Sequence, residues 1–101
     1  MIVIGWNNGG AGYGLRVRAA DRDHYFRREW QSVEIELPNG VRANANIDKE
    51  FWGHKCRELI SKEVGQWLRS EGLAPWGYRQ PPKLVLEPSG TRSFVLSRGQ
   101  N

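Results

Sequence analysis

The sequence predicts an α+β fold: an antiparallel sheet or partly open barrel of two to three hairpins packed on one long helix, with one short helix besides. Three observations carry this expectation. Two turns of Pro-x-Gly type, Leu37-Pro38-Asn39-Gly40-Val41 and Glu87-Pro88-Ser89-Gly90-Thr91, are each flanked by runs that alternate apolar and polar residues. Between them, Asp48 to Pro75 carries apolar residues at helical spacing together with a start and a stop signal. No internal repeat or linker interrupts the chain, so residues 1–101 read as a single domain.

Taken in order, Met1 to Trp6 has β-type residues, and Asn7 to Gly12 is a Gly-rich turn leading into Tyr13 to Arg18, which alternates apolar and basic. This predicts an N-terminal hairpin with residues 1–12 as a flexible strand and turn. The Gly run is not a phosphate loop, because a dinucleotide fingerprint needs a helix after it and a P-loop needs Gly-Lys-Ser/Thr. Asp21 to Trp30 predicts the short helix, with Asp21 as cap, Phe26 and Trp30 four apart facing inward, and Arg22, Arg27 and Arg28 outside. Ser32 to Leu37 then places Val33, Ile35 and Leu37 on one face. Gly40 accepts the positive φ of the turn, which sets the register: Leu37 faces Val41, Ile35 faces Ala43 and Val33 faces Ala45. The two alanines leave a shallow surface for something bulky.

The long helix is expected to fill it. Asp48 is its predicted cap, Ile47 and Trp52 a hydrophobic staple, Gly72 the left-handed C′ residue and Leu73 a fold-back onto Leu68, with Pro75 forbidding continuation. That spans about 22 residues, roughly 33 Å. Trp52, Cys56, Leu59, Ile60, Val64, Trp67 and Leu68 form its apolar arc, and Lys55, Lys62 and Arg69 an outer basic stripe flanked by His54 and Gln66. Glu63 falls within the arc, which suits pairing at the core edge. Gly65 falls on the outer side, a mid-helix cost of ~1 kcal/mol that points to close approach by a backbone, ligand or partner. After Pro75, Trp76 to Pro82 is a stiff aromatic and Pro-rich loop. Lys83 to Glu87 and Thr91 to Ser97 form the second hairpin, with Leu84, Leu86, Phe94 and Leu96 on one face and residues 98–101 as a frayed tail.

Composition narrows the function. Fifteen basic residues, eleven of them Arg, against eleven acidic ones give a net charge of +4. Guanidinium groups bind carboxylate and phosphate bidentately and stack on aromatic rings, so a Trp- and Arg-rich small domain leans towards nucleic acid or an acidic protein surface. No apolar run approaches the ~18 residues of a membrane span. The start lacks the basic flank and length of a secretory signal, and the single Cys forms no internal disulfide, so a reducing cytoplasm is expected.

No catalytic constellation stands out. Glu34 and Glu36 lie opposite Asn44 and Arg42, which a cross-strand ion pair explains. Asp23 with Glu34 and Glu36 supplies the acids of a metal-dependent nuclease but not its Lys. Neither a zinc site nor a Cys56–His nucleophile can be assembled, and no cofactor is implied. Binding remains, with Arg16, Arg18, Arg22, Arg27, Arg28 and Arg42 as phosphate contacts and Trp76, Tyr78 and Arg79 as residues that stack on bases or lid the core.

The order of elements resembles the pseudobarrel DNA-binding domains of restriction-endonuclease effector modules and of some plant transcription factors. The resemblance runs from Tyr13 to Ser97 and rests on element order and on stretches such as Val33-Glu34-Ile35-Glu36-Leu37 and Pro82-Lys83-Leu84-Val85-Leu86. It implies DNA lying against a concave sheet edge and its flanking loops. The expectation is therefore a small, non-enzymatic nucleic-acid-binding domain. A protein-interaction module, an inhibitor or accessory subunit docking through an exposed aromatic or Gly65-centred surface, is the alternative, and a nuclease the third reading.

Overall fold

In the computed structural model, residues 1–7, 9, 12–47, 49–53 and 57–99 are described. They form strands β1 (Ile2–Asn7), β2 (Tyr13–Arg16), β3 (Ser32–Glu36), β4 (Arg42–Asn46), β5 (Glu58–Ile60), β6 (Lys83–Gly90) and β7 (Ser93–Ser97), with helices α1 (Ala19–Tyr25) and α2 (Lys62–Ser70). The seven strands make one sheet in the order β4-β3-β7-β6-β1-β2-β5, and its two edges, β4 and β5, approach one another. Every pairing is antiparallel except β3 with β7. The result is a nearly closed, mixed, barrel-like sheet.

This corrects the expected fold class. The α+β arrangement with one long helix is replaced by a mostly-strand barrel with two short helices. Asp48 to Pro75 divides instead into turns over 49–53, strand β5 and the nine-residue α2. The cause is competition for β2. Without β5 that strand would end the sheet with a row of unpaired backbone groups. Pairing Gly14, Leu15 and Arg16 with Ile60, Leu59 and Glu58 satisfies them and sets Leu59 beside Leu15, both fully buried. The helix begins where Ser61 caps it, its Oγ accepting from the Val64 N–H at 3.5 Å. Asp48, the expected cap, and His54, Lys55 and Cys56, assigned to the helix faces, lie outside the described residues, as do Asn8, Gly10, Ala11, Gln100 and Asn101.

The stop signal behaves as the sequence predicts. Gly72 has φ +71°, its N–H reaches Arg69 O at 3.1 Å, and the Leu73 N–H reaches Leu68 O at 2.9 Å, a complete Schellman motif. Gly65, however, is buried rather than outward. A Cβ there would lie 3.4 Å from the Tyr13 carbonyl oxygen, so the close approach is to the backbone of β2. Glu63 accepts from Ser61 Oγ at 3.0 Å. Through Val64, Gly65, Trp67 and Leu68, α2 packs on β2 and on β4, the strand that carries Ala43 and Ala45.

The first hairpin has the predicted register, Val33 with Ala45 and Ile35 with Ala43, and Gly40 takes φ +88°. The second keeps Leu84, Leu86, Phe94 and Leu96 buried, but its turn lies later than expected. β6 runs through Pro88 with an irregularity before Gly90, and the chain reverses at Thr91–Arg92, with Arg92 at φ +58°. Pro88 tolerates this because a bulge relieves the lost N–H. Helix α1 is shorter than expected, and Asp21 lies in its first turn rather than at the cap position, which Arg18 occupies. Phe26 follows it and stacks on Phe94 at 4.8 Å between centroids, with Phe51 at 5.1 Å, so three aromatic rings close this end of the core.

Candidate nucleic-acid interface

The flanks of the β3–β4 hairpin create the most distinctive cleft. Pairing of Ser32 with Asn46 is continued by the Ile47 N–H donating to Gln31 O at 3.0 Å, which draws residues 28–31 towards Ile47 and the turns over 49–53. Between them lies a cleft of about 580 Å³ bordered by Arg28, Trp30, Gln31, Ile47, Lys49, Trp52 and Gly53. Its described lining holds two cations, two indoles and no carboxylate. The chemistry is that of an anion with an apolar, flat portion.

Cations organise Trp52. The guanidinium carbon of Arg28 lies 4.8 Å from the Trp52 ring centroid and that of Arg22 lies 5.5 Å from it, both within cation–π range. The two arginines differ. Arg22 is only 11% exposed, donates from Nη1 to Phe51 O at 3.1 Å and Gly53 O at 2.8 Å, and pairs with Asp23 at 3.1 Å. It is a strut for the 49–53 turns, which corrects its expected outward placement. Arg28 is exposed, with its guanidinium held over the indole. The Trp52 Nε1 is buried with no acceptor among the described residues.

Trp30 is a shared wall. It borders this cleft and a second one of about 620 Å³ formed with Asp23, His24, Phe26, Pro88 and Phe94 among others. The ring is half-buried, packed on the core yet open to both clefts.

The remaining predicted residues do not converge. Arg16 lies on the outer face of β2, its guanidinium 4.5 Å from the Trp6 ring and its Nε 3.4 Å from Glu58. Arg42 is occupied on the outer face by Glu34 at 3.3 Å and Glu36 at 3.9 Å, the cross-strand arrangement the sequence predicts. Arg18 and Arg27 are exposed beside α1. Strand directions put Trp76, Tyr78 and Arg79 at the opposite end of the sheet, where the Gly5 N–H donates to Pro82 O at 2.9 Å. There Trp76 lids the core, 5.2 Å from Tyr13 and lying over Gly5, and Arg69 covers Tyr13 at 5.1 Å. Tyr78 does not: it is 84% exposed, with Arg79 at 5.1 Å and φ +58°.

Sequence reasoning missed Trp30, Trp52 and Lys49 as site residues, having assigned both indoles to the core. The signal was the hairpin register itself, which, extended one pair beyond Val33–Ala45 and the next, brings Gln31 to Ile47. Among the described residues no group of three His, Cys, Asp or Glu could hold a metal ion. No described helix is long and apolar enough to cross a membrane. No family model matches the chain, and neither the curated proteins nor the solved structures contain a significant match to it.

Proposed function

We propose that this chain is a small, non-enzymatic nucleic-acid-binding domain, with Arg and Lys on phosphates and aromatic side chains on bases. The observation that supports it is the cleft at the α1 end, where Arg28 and Lys49 stand beside Trp30 and Trp52 with no described carboxylate in the lining. Arg18 and Arg27 are exposed at the two ends of α1. Asp21, Asp23, Glu29 and Glu50 lie on the same segments, so the field is local and the affinity modest.

A titration against duplex and single-stranded DNA over a range of salt concentrations tests the reading. Two cations in the cleft correspond to a log–log slope of about −1.4 to −1.8, from ~0.7 to 0.9 per phosphate neutralised. No salt-dependent binding at low ionic strength ends it.

One observation favours the alternative, a protein-interaction module. The outward side chains of β1, β5, β6 and β7 include Ile2 and Val85, which are cross-strand partners, with Ile4, Trp6, Ile60 and Val95. Ile2 is 42% exposed and Val95 36%, on the outer face of the sheet. Gly65 is buried against β2 and borders a separate cleft with Tyr13, Lys62 and Arg69, and Tyr78 is exposed. A protein partner retained after nuclease treatment, and lost in Ile2→Lys, would select this reading.

A further inference from the structure

The cleft has the form of a site for one nucleotide rather than for a helix groove. A duplex offers proteins only phosphates and the edges of its bases, because the flat faces are stacked. The residues gathered here suit a base face. Trp30 borders open space on two sides while its body is anchored on the core, the arrangement of a rigid stacking platform. Trp52 is less free to stack, since Arg28 and Arg22 both lie over its ring. Its role is support: it holds the Arg28 guanidinium at the cleft, with Lys49 on the other flank. A guanidinium plane can itself stack on a base or bind a phosphate in two-pronged fashion. At about 580 Å³ the cleft falls within the small-ligand range, roughly 300–1,000 Å³.

Resting on the nucleic-acid reading, we infer that the Trp30–Trp52 cleft receives a single unpaired nucleotide of a nucleic-acid strand, its base on Trp30 and its flanking phosphates on Arg28 and Lys49. The protein would then select single-stranded or locally unstacked segments over continuous duplex. Base identity is left open by this geometry, because every base has a π-face and Gln31 alone among the described lining residues carries both a side-chain donor and an acceptor.

The test compares three labelled probes at one salt concentration: dodecathymidylate, an abasic oligomer with the same number of phosphates, and a blunt duplex of equal length. The expected order is dodecathymidylate first, ahead of the abasic oligomer by about fivefold or more, the effect of one stacked base. Trp30→Leu, which keeps an apolar anchor but removes the ring, should erase that preference and leave the salt slope unchanged. Equal binding of the abasic and thymidylate probes overturns the inference, while salt-dependent binding of both leaves the nucleic-acid reading standing. Tighter binding of the duplex than of dodecathymidylate also overturns it. Absence of salt-dependent binding to all three removes the nucleic-acid reading, and this site with it.

Discussion

The two ends of the sheet carry similar residues and use them differently. At the end near Tyr78, Trp76 is spent on packing, set against Tyr13 and over Gly5, while Tyr78 and Arg79 pair with each other in solvent. At the α1 end three phenylalanines, Phe26, Phe51 and Phe94, already close the core. The tryptophans there are therefore released to line a cleft. A core that is sealed by one set of aromatics frees the next set for recognition; a tryptophan that itself packs on the core, as Trp76 does, is not free for it.

The comparison can be broken most severely at the seal. Phe26→Ala should cost about 3–5 kcal/mol, measured by chemical denaturation, because it opens a cavity among three rings. A loss below about 1 kcal/mol would mean that these rings do not close the core. Trp76→Ala should cost about 2 kcal/mol, the value of a partly buried aromatic, and leave nucleic-acid affinity unchanged. If it abolished binding at intact stability, the functional end would be the other one. Arg28→Ala should change stability by no more than about 0.5 kcal/mol yet flatten the salt dependence of DNA binding by about 0.7 to 0.9. Tyr78→Ala should fall within about 0.5 kcal/mol of the parent in a thermal melt and bind normally. Gly65→Ala has the opposite sign. Its new Cβ would meet Tyr13 at an ordinary 3.4 Å, so a helix-propensity gain of up to about 1 kcal/mol is expected. Destabilisation would show that the packing of α2 on β2 is tighter than these distances imply.

Both hairpins could be read from the chain because their determinants are local. Pro38, Asn39 and Gly40 define a turn, the turn fixes the register, and the alternation of Val33, Ile35 and Leu37 chooses the inner face. The C-terminus of α2 was legible for the same reason. The long helix was not, because Trp52, Cys56, Leu59 and Ile60 satisfy a helical period as well as other arrangements do. A residue off that arc carried the contrary signal: Phe51 would have stood on the solvent side of a continuous helix, and it is 2% exposed in the core. The site was hidden by the same ambiguity. Placing Trp52 on a helix face and Trp30 in the core separated two side chains that the extended register of β3 and β4 brings to one cleft.

By itself, then, the sequence determined the turn of the first hairpin, the strand faces of both, the Schellman stop and the Arg-rich character, all of which follow from interactions within a few residues. Only the tertiary structure decided that Glu58 to Ile60 is a strand, that β3 lies parallel to β7, and which arginines are struts and which are free to face a ligand. Those outcomes depend on partners far apart in the chain. β2 needs an edge partner for its backbone hydrogen bonds, and the Phe51 and Gly53 carbonyls need the Arg22 guanidinium. Neither demand exists until the sheet has formed.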